Sequence, residues 1–319
     1  MLTGYFETNG VLQRCDSTGR LADAVWIDLV EPTKEEELAV EKILGIDVPS
    51  REEMREVESS SQLYRDGNAT IMTLRLLSVT NRVAPVVIAV TFILSPDRLV
   101  TLRYADSTSF HTFVARAEKE TGCLQSSSVA MSGLLEAIVG RTADILEQIG
   151  DELDVISASL FTQNAEISEG IAGTDLNALL RKIGRNGDLA SRAQDSLHSI
   201  LRVIPVLQHL KDSAIAERVS TLRIDVKSLL DHAGFLSTKI QFLLDSALGL
   251  ISIQQNAIIK IFSVAAVIFL PPTLIASVYG MNFQHIPELQ WLYGYPFALA
   301  LMVISAVLPY WYFKRRRWL

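Results

Sequence analysis

The chain has 319 residues, 49% of them hydrophobic and only 20% charged, with a formal net charge of −7. Residues 255–319 hold Lys260, Lys314, Arg315, Arg316 and Arg317 against Glu288 alone, a net +4, which leaves −11 for residues 1–254. Apolar, nearly charge-free stretches at one end and an acidic remainder exclude a disordered chain, a secreted mini-protein and a purely soluble enzyme. They also argue against a nucleic-acid partner, which needs a basic patch.

In chain order, Met1–Gly10 lacks the cationic start and apolar run of a cleavable signal. Cys15 and Cys123 fit no metal or redox spacing. Val25-Trp26-Ile27-Asp28-Leu29 reads as a short strand leading to Pro32-Thr33, where Thr33 and Glu36 form a capping-box pattern. Ser50 and Glu53 repeat that pattern after Pro49. The acid-rich run Glu31–Glu58 reads as a solvated helical face. Residues 69–79 and 86–94 are rich in β-branched and apolar types, and Pro96-Asp97 signals a turn before a strand at 99–104. Residues 1–125 are therefore expected to form an α/β domain built on a small sheet.

Proline is then absent from Asp97 to Ile204 and again from Val206 to Leu270. The spacing predicts a helical hairpin region over 126–205 and a long stalk helix over 206–257. If the second proline-free interval were one helix, it would be on the order of 100 Å long. Leu222, Val226, Leu229, Ala233, Leu236, Ile240, Leu243, Ala247 and Leu250 alternate steps of four and three, a heptad seam that calls for partner helices.

Two charge-free intervals follow, 261–287 and 289–313. A hydrocarbon core about 30 Å thick needs about 20 apolar helical residues, so each can span it. We place a first transmembrane helix at 258–279, an outer loop at 280–292, a second transmembrane helix at 293–313 and a basic tail at 314–319. The tail should stay in the cytoplasm under the positive-inside bias, and with two spans so should the N-terminal domain. Trp291, Tyr293 and Tyr295 would mark one interface; Tyr310, Trp311, Tyr312, Phe313 and Trp318 would mark the other.

A helix that only anchors should be apolar all round. Here Asn256, Ile259, Ser263, Ala266, Leu270, Thr273, Ser277 and Gly280 follow steps of three and four and gather most of the polar or small residues of the first span. Ile258, Ile261, Ala265, Ile268, Phe269 and Ile275 occupy the other side. Such a stripe suits either a close helix–helix interface or a water-filled path between copies of the same helix. The span has no carboxylate and no histidine, which disfavours a proton-coupled carrier and leaves a passive route for a hydrated ion open. Pro271-Pro272 removes backbone hydrogen bonds mid-span, as a kink or a gate hinge would.

At the outer end stand Tyr279-Gly280-Met281-Asn282-Phe283, then Ile286-Pro287-Glu288-Leu289 and Trp291. With the second span and the terminal Phe313-Lys314-Arg315-Arg316-Arg317-Trp318-Leu319, this arrangement over about 254–319 resembles the CorA family of divalent-cation channels, in its magnesium and cobalt branch. The N-terminal two-thirds is similar in architecture. The fold class this implies is an α+β cytoplasmic domain with a long stalk helix and two C-terminal transmembrane helices, CorA-like. The resemblance implies a homopentamer around one axial pore in a bacterial inner membrane, conducting Mg²⁺ and also Co²⁺ or Ni²⁺. Asn256, Ile259, Ser263, Leu270, Thr273 and Ser277 would line it, with Leu270 as an apolar constriction. Other members carry methionine where this chain has Ile259 and Leu270, which keeps an apolar gate and loses some flexibility.

The chemistry fits a selectivity ring at Gly280, Met281 and Asn282, flanked by Tyr279 and Phe283. Mg²⁺ dehydrates reluctantly, so a ring of backbone carbonyls and Asn282 amides can recognise it through its water shell. Glu288, the lone charge between the spans, would concentrate cations at the mouth. His285 departs from the family loop, and a ring of such histidines suits Zn²⁺ or Co²⁺. A ZntB-like zinc transporter is thus the alternative, although that branch usually lacks the Pro-Glu-Leu loop. The family also implies Mg²⁺ as a regulatory ligand bridging carboxylates of neighbouring subunits. Asp225, Asp231 and Asp245 on the stalk are candidates, as are Asp28, Glu31, Asp66 and Asp97. No organic cofactor is expected. No enzyme motif is present, and the five histidines are scattered. A membrane-anchored coiled-coil scaffold is the more distant alternative.

Overall fold

The computed structural model describes the chain except residues 9–10, 16–17, 57, 59–61, 79–84, 163–175, 211, 282–290 and 317–319. It divides into two compact units, Met1–Leu244 and Asp245–Leu319. The first is built on a seven-stranded sheet: β1 (Leu2–Thr8), β2 (Val11–Cys15), β3 (Trp26–Val30), β4 (Leu63–Asp66), β5 (Ala69–Ser78), β6 (Val86–Leu94) and β7 (Leu99–Arg103). Their order is β2-β1-β3-β7-β6-β5-β4, with β3 and β7 parallel and the other neighbours antiparallel.

One face of the sheet packs Ile27, Leu29, Ile71, Ile93, Val100 and Leu102 with Val40 of α1 (Lys34–Leu44). The predicted capping box opens this helix: the Glu36 N–H donates to Thr33 Oγ1, and the Thr33 N–H donates to Glu36 Oε2 at 2.9 Å. Gly45 at φ 71° closes it, its N–H donating to the Glu41 carbonyl. The Ser50–Glu53 pattern also forms reciprocal bonds, but it caps only a single 3₁₀ turn, Glu53–Arg55.

The other face buries Trp26, Phe92, Phe110 and Phe113. Phe110 and Phe113 come from α2 (Thr108–Ala117), followed by α3 (Ser127–Thr162) and α4 (Leu176–His209). Because β4 pairs only with Ala69–Met72, the rest of β5 would be an open edge. Helix α4 closes it: the Arg75 N–H donates to Ser199 Oγ at 2.9 Å and the Leu77 N–H to Ser196 Oγ at 3.2 Å.

The long helix is α5 (Ala216–Tyr279). The interval between the prolines is not one helix, because Pro205 lies inside α4 and the chain breaks the helix at about 210–215. Up to Leu243, within the first unit, the heptad seam finds partners inside the chain. Leu222, Val226, Ala233, Leu236, Leu243 and Ala247 are buried, and Leu229, Ile240 and Leu250 are half-buried. Helices α3 and α4 supply the cover. Phe161 stacks on Phe242 at 5.9 Å, Lys239 reaches Asp154 at 2.7 Å, and Arg218 pairs with Glu136 at 2.7 Å. Gly150 and Gly187 lie directly against Leu236 and Ile240. In the second unit, the end of α5 is followed by α6 (Gly294–Arg315).

Candidate functional site

Helix α5 continues through Pro271 and Pro272 without a break. Each proline leaves the carbonyl four residues earlier without its usual donor, so Val267 and Ile268 each lose a helical bond. Thr273 turns its hydroxyl back on the Phe269 carbonyl at 2.7 Å, a bond a helical threonine makes without water.

Every member of the polar and small stripe is exposed: Asn256, Ile259, Ser263, Ala266, Leu270, Thr273, Ser277 and Gly280. Ile259 and Leu270 are 62% and 65% exposed. The covered seam lies on the opposite side at the helical period. Val264 is buried, and Ala265, Ile268, Pro271, Pro272, Ile275 and Tyr279 are half-buried. On α6 the covered positions are Gly294, Ala298, Met302, Ser305, Ala306, Pro309 and Phe313, again along one helical face. Small residues at such positions permit close helix approach. Of the residues predicted opposite the stripe, Ala265, Ile268 and Ile275 join the seam, while Ile258, Ile261 and Phe269 stay exposed. Both α5 and α6 are long and apolar enough to cross a membrane, and neither is buried as a core helix would be. Bare Phe262, Phe269 and Leu274 require lipid or other helices around them.

Gly280 ends α5. Its N–H donates to the Ala276 carbonyl at 2.9 Å, and the Met281 N–H donates to Val278 at 3.3 Å. A Cβ at Gly280 would stand 3.0 Å from the Ala276 oxygen, tighter than side chains normally tolerate. Met281 is exposed. Asn282, Phe283, His285 and Glu288 lie outside the described residues, as does Trp318. At the far end of α6, Lys314, Arg315 and Arg316 lie over the rings of Tyr310, Trp311 and Tyr312, with 5.4 Å for Arg315 on Trp311. This pairing of cation and aromatic residue suits the bilayer boundary.

The acidic candidates separate into two kinds. Asp225, Asp231 and Asp245 are exposed on α5, and Glu31, Asp66 and Asp97 are exposed in the sheet domain. Asp28 is not available to a metal. It is buried between β3 and β7, accepting from Arg103 Nη2 at 2.9 Å and from Thr101 Oγ1 at 2.7 Å. Burial disfavours the Arg103 cation, but Asp28 beside it more than compensates and holds the guanidinium firmly charged. Arg103 continues outward to Asp106 at 3.2 Å, and Asp106 meets the exposed His111 Nε2 at 2.8 Å. Partial burial would raise the Asp106 carboxyl. Hydrogen bonds from His111, Arg103 and the Ser107 N–H prevail and hold it below the ordinary carboxylate range. Among the described residues, no group of three or more His, Cys, Asp or Glu is placed to hold a metal ion. Sequence reasoning missed Arg103 as the partner of Asp28, although an acid inside an otherwise apolar strand is itself a signal for a buried cation.

Fold and site together define an integral membrane protein. It has a mixed α/β domain outside the bilayer and a first span whose polar stripe carries no ionisable group. Residues 22–315 match the family model described as CorA-like Mg²⁺ transporter protein, and the chain belongs to that family. It is 34% identical over 324 aligned residues, covering both proteins fully, to the magnesium transport protein CorA of Yersinia pseudotuberculosis. The same figures hold for the magnesium transport protein CorA of Escherichia coli. Among solved structures, the CorA magnesium transporter of Methanocaldococcus jannaschii superposes with a TM-score of 0.78 at 20% identity, covering 100% of this chain and 99% of that one. That likeness establishes the fold.

Proposed function

We propose that the chain is a homopentameric channel for passive passage of hydrated Mg²⁺, and of Co²⁺ and Ni²⁺, across a bacterial inner membrane, with both termini in the cytoplasm. The observation that carries this reading is the exposed, uncharged stripe of α5, opposite the covered seam of the same helix. Full-length identity to magnesium transport proteins supports the choice of ion. Large apolar residues exposed on α5 within the first unit, Ile224 and Phe235, support assembly, since such surface on a soluble helix marks a partner face.

In this account five copies turn their stripes toward one axis. Gly280 and Met281 carbonyls and the Asn282 amide grip the water shell of the ion, so little dehydration is needed. Ser263, Thr273, Ser277 and Asn256 offer hydroxyl and amide oxygens along the path. Ile259 and Leu270 form apolar constrictions that close by expelling water. Glu288 and His285 sit at the outer mouth, where a ring of carboxylates raises the local cation concentration. Cytoplasmic Mg²⁺ bridging exposed carboxylates of adjacent subunits, Asp225, Asp231 and Asp245 among the candidates, favours the closed state, and its loss lets like charges part. The test is Mg²⁺ uptake into liposomes holding the purified chain. Uptake blocked by cobalt hexaammine is expected; no uptake down a verified gradient contradicts the proposal.

A further inference from the structure

Outside the ion path, the first unit carries a cavity of about 360 Å³ whose charge opposes that of the chain. Arg51, Arg55 and Arg75 all line it, in a protein of net charge −7. None of the three forms an ion pair with a described residue. Nearby carboxylates are engaged elsewhere. Glu53 is held by the Ser50 N–H and hydroxyl, and Glu37 accepts from the Tyr104 hydroxyl at 3.2 Å. Glu56 alone adds an acid to the lining.

The location is also informative. Arg75 lies toward the carboxyl end of β5, and Tyr104 follows the carboxyl end of β7. The antiparallel β6 runs between them and brings Val87, Ile88 and Ala89 of its amino end to the same edge of the sheet. Val87, Ile88 and Met54 give the cavity an apolar wall, and the Arg51 guanidinium lies 5.1 Å from the centre of the Tyr104 ring. Three guanidiniums select phosphate or carboxylate oxygens, and their flat faces stack on planar rings. An apolar wall exceeds what a bare anion needs, and a carboxylate at the rim suits hydroxyls of a sugar.

We propose that this cavity binds a nucleoside polyphosphate, with its phosphates on Arg55 and Arg75, its base against the wall and Arg51, and its ribose hydroxyls toward Glu56. Since such phosphates chelate Mg²⁺, a site of this kind would couple the membrane protein to the cytosolic nucleotide pool.

The test is calorimetric titration of the detergent-solubilised full chain with ATP in excess EDTA, against adenosine and inorganic tripolyphosphate. ATP should saturate, binding at least about tenfold tighter than either comparator. Arg55→Ala and Arg75→Ala should each weaken it at least about tenfold, the scale of a lost charge-assisted bond. Melting temperatures of the free variants separate loss of the site from loss of the fold, and Arg75→Lys, which keeps the charge without the fork, should bind with intermediate affinity. Absence of saturation by ATP, tripolyphosphate binding as tightly as ATP, or unchanged affinity in folded variants overturns the proposal. Binding requires no ion flux, so either result stands apart from the transport reading.

Discussion

At the scale of single residues, the account rests on oxygens that meet water rather than bare metal. Asn282→Ala should cut Mg²⁺ uptake to about a tenth or less, the scale of losing one hydrogen bond to a charged assembly, while leaving the purified oligomer intact. Leu270→Asn should wet the constriction and raise uptake several-fold when Mg²⁺ is present on the cytoplasmic side. Within the sheet of the first unit, Asp28 and Arg103 face another constraint, since removing one partner strands a buried charge. Arg103→Met is expected to lower stability by about 3–5 kcal/mol, and adding Asp28→Asn should recover much of it, as thermal melting in detergent would show. Asp106 gives a pH expectation. Its folded pKa lies below the ordinary value near 3.8, so its contribution is fully present above that pH and is lost as the pH falls through the lower folded value. Replacing it with Asn should flatten the acid limb of a melting-temperature profile below about pH 4.

At the scale of elements, hydrophobic periodicity was legible but its partners were not. The strands at β3, β5, β6 and β7 announce themselves through β-branched and apolar runs, and α1 through Thr33 and Glu36. Strands β1 and β2 carry glycine and mixed polar residues and are defined by pairing with each other and with β3, which a local pattern does not record. The α5 seam called for partner helices without naming them, because a heptad states that a partner exists and no more. Folding the hairpin of α3 and α4 back onto α5 satisfies the seam inside one chain. Leu236→Ala should therefore cost about 2–5 kcal/mol as a buried truncation. Phe235→Ala, one step away but 61% exposed in the chain, should spare the fold and weaken assembly, read by native-gel mobility. Pro205 misled as a boundary because a helix tolerates proline where neighbours compensate for the lost bond. The arginine cavity draws from four separate segments, so spacing along the chain carried no sign of it.

At the scale of the whole molecule, the division into an acidic domain and an apolar, basic-ended anchor followed from charge-free lengths alone, because a bilayer fixes the length a span must have. On the proposed reading the exposed stripe on α5 lines a path between copies, since a lone span would leave polar groups facing hydrocarbon. The most direct measurement compares Ser263→Cys with Ile261→Cys, each in a background with Cys15 and Cys123 replaced by Ser, in Mg²⁺ uptake before and after a charged, membrane-impermeant thiol reagent. The account predicts that the reagent abolishes uptake through the Ser263→Cys protein and spares the Ile261→Cys protein. Uptake that survives complete modification at position 263 would contradict it.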